Sequence, residues 1–148
     1  MKTGELIGVS ISDKRGTGKR NIGEGYLKEG YGLEGDAHAG TERQVGILLW
    51  EYAEELSKKQ GFEVEPGDFA ENLTVKGLVG EEFKLGTLLQ VGESVLEVTQ
   101  IGKVLTKDHT FNFHGFVLLA DNGLFCKVVK GGKVKVGDKA KVISDKEF

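Results

Sequence analysis

The segment Gly35-Asp36-Ala37-His38-Ala39-Gly40, followed by Arg43-Gln44, sets a carboxylate and an imidazole two residues apart, with a guanidinium close behind. In an extended segment, Asp36 and His38 point to the same side of the chain. Both could then meet one ligand while Arg43 offers a planar fork for an oxyanion. The alternative is a turn in which Asp36 satisfies backbone amides and His38 is half-exposed, and spacing this short is common in turns. A second group precedes it. Lys14, Arg15, Lys19 and Arg20 sit among Gly16, Thr17 and Gly18, where backbone N–H groups and cations could cradle a phosphate. The Walker A order is absent, and a solvated basic loop is the competing reading.

The segment Pro66-Gly67-Asp68-Phe69-Ala70-Glu71-Asn72-Leu73-Thr74 clusters three polar side chains beside a turn. Asp68, Glu71 and Asn72 could hold a polar ligand or orient Arg43, or they could cap the turn while Phe69 anchors it in the core. Buried polar groups need partners in either case. His109 and His114 bracket Phe111 and Phe113. Together with His38 the histidines could form a three-His metal site, but such residues are more often separate, and no metal site is expected. The two phenylalanines could stack bases or fill the core. Cys126 is the only cysteine. Its neighbour Lys127 would activate it only if the sulfur were exposed, whereas a lone cysteine in an apolar strand usually packs as a small hydrophobe.

The elements that must position these residues are mostly strands. Leu6–Ile11 reads as a first strand. Ser12–Gly35 follows as a long glycine- and cation-rich loop, with one short strand near Ile22. Gln44–Leu49 reads as a buried strand and Trp50–Gln60 as a helix. In that helix Leu49, Ala53 and Leu56 form a stripe, acidic residues load the N-terminal half, Lys58 and Lys59 load the end, and Gly61 closes it. Asn72–Val75, Thr87–Val91 and Val95–Ile101 are short strand candidates. Thr106–Asp121 is a loop or short helix. Leu124–Val129, Lys133–Val136 and Lys139–Ile143 are strands, and the Gly131-Gly132 turn with alternating Lys and Val signals a hairpin. The fold expected is mostly β with a few α elements: a partly closed β-barrel of short strands with one or more helices packed outside.

Composition sets bounds. The 148 residues suit one domain spanning 1–148. The formal net charge of −3 counts against nucleic acid, which usually selects a basic footprint. The single cysteine suits a reducing cytoplasm, and no apolar stretch is long enough for a signal h-region or a membrane span. With 23 glycines and one proline, many tight turns between strands are expected.

Four blocks in order resemble the MOSC domain found at the C-terminus of molybdenum cofactor sulfurases. They are Gly35–Val45, Pro66–Thr74, Leu96–Lys103 and Lys130–Asp138, within a resemblance running from about Ile7 to Val142. The stretch Gly67–Asn72 is the most specific of them. The resemblance implies a β-barrel and association with molybdenum cofactor (molybdopterin), a pterin that bears a phosphate and a dithiolene-bound metal. In the sulfurases the domain is fused to a pyridoxal-phosphate-dependent desulfurase. Here a stand-alone version is expected, with no pyridoxal phosphate site and with a cysteine desulfurase or a molybdoenzyme as partner. Family proposals give the domain a sulfur-carrier or cofactor-binding role centred on a cysteine. Related bacterial members follow Ile-Gly-Lys with a Cys-His-x-x-Cys-like stretch, but here Ile101-Gly102-Lys103 is followed by Val104–His109 without a cysteine. The expected function is therefore binding of molybdopterin-type cofactor or a related phosphorylated anion. Arg15, Lys19, Arg43 and Lys103 would meet the anion, while Asp36, His38, Asp68, Glu71 and Asn72 would orient the polar ring or one another. The alternatives are a sulfur transferase with Cys126 as its catalytic residue, and a barrel that binds single-stranded nucleic acid through Phe111, Phe113 and the basic loop.

Overall fold

The computed structural model describes residues 2–104 and 111–144. Strand β1 (Thr3–Ile11) leads into three short strands, β2 (Arg20–Asn21), β3 (Glu24–Lys28) and β4 (Gly32–Leu33). Strand β5 (Val45–Leu49) runs directly into helix α1 (Trp50–Gln60), followed by β6 (Leu73–Lys76), β7 (Leu88–Val91) and β8 (Ser94–Ile101). Helix α2 (Leu118–Asn122), β9 (Leu124–Lys130), β10 (Gly132–Lys135) and β11 (Lys139–Ile143) complete the chain. The main sheet runs β11-β7-β8-β9-β5-β6-β1, and β1 pairs again with β11. The expected barrel is thus present, and that last pairing closes it, leaving these seven strands no free edge. Every barrel pairing is antiparallel except β5 with β6.

Side-chain alternation sorts β5 between two cores. Val45, Ile47 and Leu49 point into the barrel, where they meet Leu6, Val9, Leu73, Val75, Leu96, Val98 and Cys126. Leu48 points outward to Ala53, Phe69, Leu119 and Phe125 beneath the helices. All five residues of β5 are buried, so it is a near-continuous apolar run of the kind that two-sided burial requires. Truncating a fully buried side chain such as Ile47 to alanine costs about 2–5 kcal/mol.

Helix α1 matches its expected bounds. Gly61 sits in the left-handed region at φ 77° and donates its N–H to Ser57 O, the geometry for which a C-terminal glycine is suited. Two sequence expectations are corrected. The stretch 12–35 is not one long loop, because β2, β3 and β4 lie in it. The terminal strands also do not form the expected hairpin: β10 pairs with β3 in a separate three-stranded sheet, while β11 joins β7 and β1 in the barrel. The reason lies in the glycine pair. A two-residue type I′ turn needs positive φ at both central residues, and neither Gly131 nor Gly132 has it. They serve close approach instead, since a Cβ on Gly131 would meet Leu27 O at 2.6 Å and one on Gly132 would meet Glu93 Cβ at 2.8 Å. The chain crosses there from the barrel into the small sheet.

Candidate functional site

A cavity of about 800 Å³ opens beside the junction of β5 and β9. Its floor is Gly46, Asn72, Leu119 and Phe125, and its walls come from the loops carrying Arg15–Thr17, His38–Arg43, Ala70 and Lys103–Val104, together with Phe111, whose ring lies against Gly18. The loops around 15–20 and 35–43 that carry these groups flank short strands, so the rigid barrel holds polar groups that would otherwise be mobile.

Residues 34–40 form turns, not an extended strand, so Asp36 and His38 do not share a ligand-facing side. Asp36 Oδ1 accepts the Ser12 N–H at 3.0 Å, and Oδ2 accepts the His38 N–H at 3.0 Å. The Lys19 ammonium lies beneath, 2.7 Å from Asp36 Oδ1, with both side chains essentially inaccessible. Lys19 Nζ also donates to Ser12 Oγ at 3.0 Å and lies 3.2 Å from His38 Nδ1. Lys19 and Asp36 are therefore corrected as contacts to an anion: their charges are spent on each other, and neither lines the cavity. Burial pushes the Asp36 carboxyl up, but the hydrogen bond and charge of Lys19, helped by the amides of His38 and Ser12, outweigh it and hold the group below its ordinary range. His38 does line the cavity. Its pKa is lowered to about 4, chiefly by burial and next by the Lys19 charge, with Arg15 and Lys103 adding to the effect and Asp36 opposing it. At neutral pH it is an uncharged imidazole.

The Asp68–Asn72 turn divides. Glu71 is fully buried and turned inward, where Oε2 accepts from the Gly67 N–H at 3.0 Å and the Thr74 hydroxyl at 2.6 Å while Oε1 accepts from the Phe69 N–H at 3.1 Å. Its role as a ligand contact is corrected, because its acceptors are consumed by its own turn. That clamp holds Ala70 at φ 65° on the cavity wall, a conformation uncommon for a residue other than glycine. Asp68 accepts the Glu65 N–H at 2.7 Å and does not line the cavity. It caps the turn and does not orient Arg43. Asn72 reaches the cavity floor and, just ahead of β6, ties β5 to β1: Oδ1 accepts the Gly46 N–H at 2.9 Å, and Nδ2 donates to Ser10 O at 3.1 Å.

Arg15, Arg43 and Lys103 are the sequence-selected cations that converge on the cavity. Among the described residues no carboxylate forms an ion pair with any of them. Among the described residues, Glu42 is the one carboxylate in the lining. The Arg43 guanidinium sits over the Phe125 ring at 5.7 Å, a cation–π contact that holds the fork in place. Burial, then the charges of Arg43 and Lys19, push the Lys103 pKa down, as expected where like charges share a hollow. Phe111, Phe125 and Leu119 add apolar wall beside these cations. Residue types did not single out Glu42, Ser12, Phe125 or Leu119. Ser12 was findable only as a small polar residue just past the first strand, and the other three carry no local signal.

Cys126 is corrected as a catalytic residue. It is fully buried in the barrel core, its neighbour Phe125 faces the cavity instead, and burial, with the charge of Glu97, pushes its thiol far up. A thiol in that state has no exposed thiolate to carry sulfur. His114 stacks on Phe62 at 4.4 Å, outside the cavity wall, and His109 lies outside the described residues. Among the described residues no three His, Cys, Asp or Glu side chains gather as a metal cluster. Phe113 packs with the outer core, so the pair proposed for base stacking is split between core and cavity.

The model of the MOSC domain matches residues 34–103, a span that holds His38, Arg43, Asn72 and Lys103. No curated protein matches the sequence. The chain is similar in structure to the YuaD protein from Bacillus subtilis, at 20% identity and a TM-score of 0.71 over 96% of this chain and 97% of that one. It is also similar to YiiM from Geobacillus stearothermophilus, at 15% identity and a TM-score of 0.71 over 95% of this chain and 75% of that one. YiiM from Escherichia coli aligns at 25% identity and a TM-score of 0.64 over 97% of this chain and 70% of that one. No described helix is long and apolar enough to cross a membrane.

Proposed function

We propose, from the match of residues 34–103 to the MOSC domain model and from the shared fold, that the cavity binds a phosphorylated, anionic small molecule of the molybdopterin class. The observation that carries this reading is the inequality of charge around the hollow. Arg15, Arg43 and Lys103 face it without carboxylate partners among the described residues, while Asp36, Asp68 and Glu71 are turned to internal donors. A phosphate fits such a set, because charge-assisted N–H···O bonds are about twice as strong as neutral ones and arginine meets oxyanions in a bidentate way. The apolar wall of Phe111, Phe125 and Leu119 suits a planar ring, and a volume of about 800 Å³ falls within the range typical of small-molecule sites.

The MOSC family is associated with molybdenum cofactor, and the residues present fit its phosphate and ring. When bound, such a cofactor supplies a dithiolene-held metal. The chain's own residues bind the anion, orient the ring and present the neutral His38 imidazole on the cavity wall. Sulfur transfer is no part of this reading, since it would have to pass through the buried Cys126. A cysteine desulfurase or a molybdoenzyme in the cytoplasm is the partner it implies.

The test is titration of molybdopterin into the protein and its Arg43→Ala variant. Loss of a charge-assisted contact is worth about 1.5–3 kcal/mol, so affinity should fall roughly tenfold or more. Equal affinity in the two proteins removes the proposal.

A further inference from the structure

Lys19, expected from the sequence to meet a ligand, is turned to internal acceptors instead. Its three protons meet three acceptors: Asp36 Oδ1 at 2.7 Å, Ser12 Oγ at 3.0 Å and His38 Nδ1 at 3.2 Å. An ammonium has no acceptor of its own, so the third contact is a hydrogen bond only if His38 Nδ1 carries a lone pair. Asp36 does not compete for that atom. Its Oδ2 is 3.8 Å from Nδ1, beyond hydrogen-bond reach, and is already committed to the His38 backbone N–H. The remaining ring nitrogen, Nε2, lies on the opposite edge of a ring that lines the cavity.

We propose that Lys19 is a positioning residue: by donating to His38 Nδ1 it holds His38 as the neutral Nε2–H tautomer, whose donor edge makes this part of the cavity select a hydrogen-bond acceptor on the bound anion. The proposal rests on the anion-site reading of the cavity and deepens it by assigning the chemistry of one subsite. Lys19 and Asp36 face the ring from below, and the charges of Arg15 and Lys103 also act on it. Every cation in that set opposes a second proton on the ring, so His38 adds direction without adding charge. A phosphate oxygen or an unprotonated ring atom satisfies it. An ammonium or a protonated ring nitrogen at the same place leaves two donors opposed, which costs affinity.

The experiment is nitrogen-15 NMR of the histidine rings, with inorganic phosphate as probe. In the wild-type protein at pH 7, His38 should show an unprotonated Nδ1 and a protonated Nε2, and should stay neutral until the pH approaches about 4. In Lys19→Met its titration should move up toward the ordinary value of 6.5 but stay below it, because burial, the larger cause, remains, and Lys19→Arg should recover part of the depression. A proton on Nδ1 in the wild type, which needs no variant to observe, would overturn the proposal. So would identical His38 titration in a folded Lys19→Met. Added phosphate should shift the His38 Nε2 signal together with the Arg15 and Arg43 side-chain signals. If phosphate moves the arginines and leaves His38 unchanged, the subsite assignment fails while the anion site stands. If it moves none of them, the anion-site reading itself fails, and the tautomer result is then judged alone.

Discussion

The fold buries two carboxylates within two turns that flank one cavity, and it treats them in opposite ways. Asp36 is set against a cation. Desolvation is opposed by the Lys19 ammonium and two backbone amides, and the carboxyl ends below its ordinary range. Glu71 is given only neutral donors, the amides of Gly67 and Phe69 and the hydroxyl of Thr74. For it, desolvation prevails and its pKa is raised. Dipoles alone do not replace a lost hydration shell as an adjacent full charge can. The difference also divides the labour: the Asp36 turn is an electrostatic hub that positions His38, and the Glu71 turn is a mechanical clamp that holds Ala70 and Asn72 on the wall.

The sharpest way to break this contrast is Lys19→Met. It leaves the Asp36 carboxylate buried beside neutral groups, which makes it resemble Glu71 without the third donor. Removing one partner of a buried pair costs about 3–5 kcal/mol, and urea unfolding should show a loss of that size. Asp36→Asn in the same chain should restore part of it, because the two changes act on one interaction. Equal and additive losses would mean that the ion pair does not organise the loop.

Glu71→Gln tests the other side. An amide keeps one acceptor but turns N–H groups toward a site built from donors, so at least one of Gly67, Phe69 and Thr74 loses its partner. About 1–3 kcal/mol of stability should go at neutral pH. A variant as stable as the wild type would show that Glu71 is protonated there and that one of its oxygens is dispensable.

The two carboxyls should also give pH effects of opposite sign. The depressed Asp36 contributes stability that is fully present above its unfolded value of 3.8 and is lost as the pH falls through its lower folded value. The raised Glu71 contributes stability that is fully present below its unfolded value of 4.5 and is lost as the pH rises through its higher folded value. Stability measured against pH for the wild type, minus that of Asp36→Asn, should therefore fall toward acid. The corresponding difference for Glu71→Gln should fall toward neutral pH. Difference curves of the same slope would refute the contrast.

What could be seen in the sequence follows the range of the forces involved. Helix α1 was legible because its stripe, its charge order and Gly61 all act within a few residues. The strands of the barrel were legible from local apolar runs. Hairpin pairing at the C-terminus was not, because β10 finds its partner in β3, and only long-range packing reveals that Gly131 and Gly132 serve close approach. The site shows the same limit. His38, Arg43 and Arg15 were selected by residue type and do line the cavity. The same evidence could not separate Lys19, Asp36 and Glu71 from them, because whether a charge faces a hollow or its own neighbours is decided by turns that form only in three dimensions.

Glu42 supplies the third case in the comparison and the smallest predicted effect. It is exposed on the cavity wall, and among the described residues it has neither the cation that Asp36 holds nor the donors that clamp Glu71. Solvent therefore carries most of its charge, and its influence is confined to repulsion of an anion held by Arg43 next to it in sequence. Exposed charge pairs are worth about 0.2–1 kcal/mol, so Glu42→Gln should tighten phosphate binding by a factor of about 1.5–5 while leaving the unfolding midpoint unchanged. The gain should shrink as salt is added, since screening acts on exposed charges first. A salt-independent change, or a loss of stability of the size expected for Glu71→Gln, would place Glu42 with the structural carboxylates and remove the reason for treating this wall as the ligand-facing one.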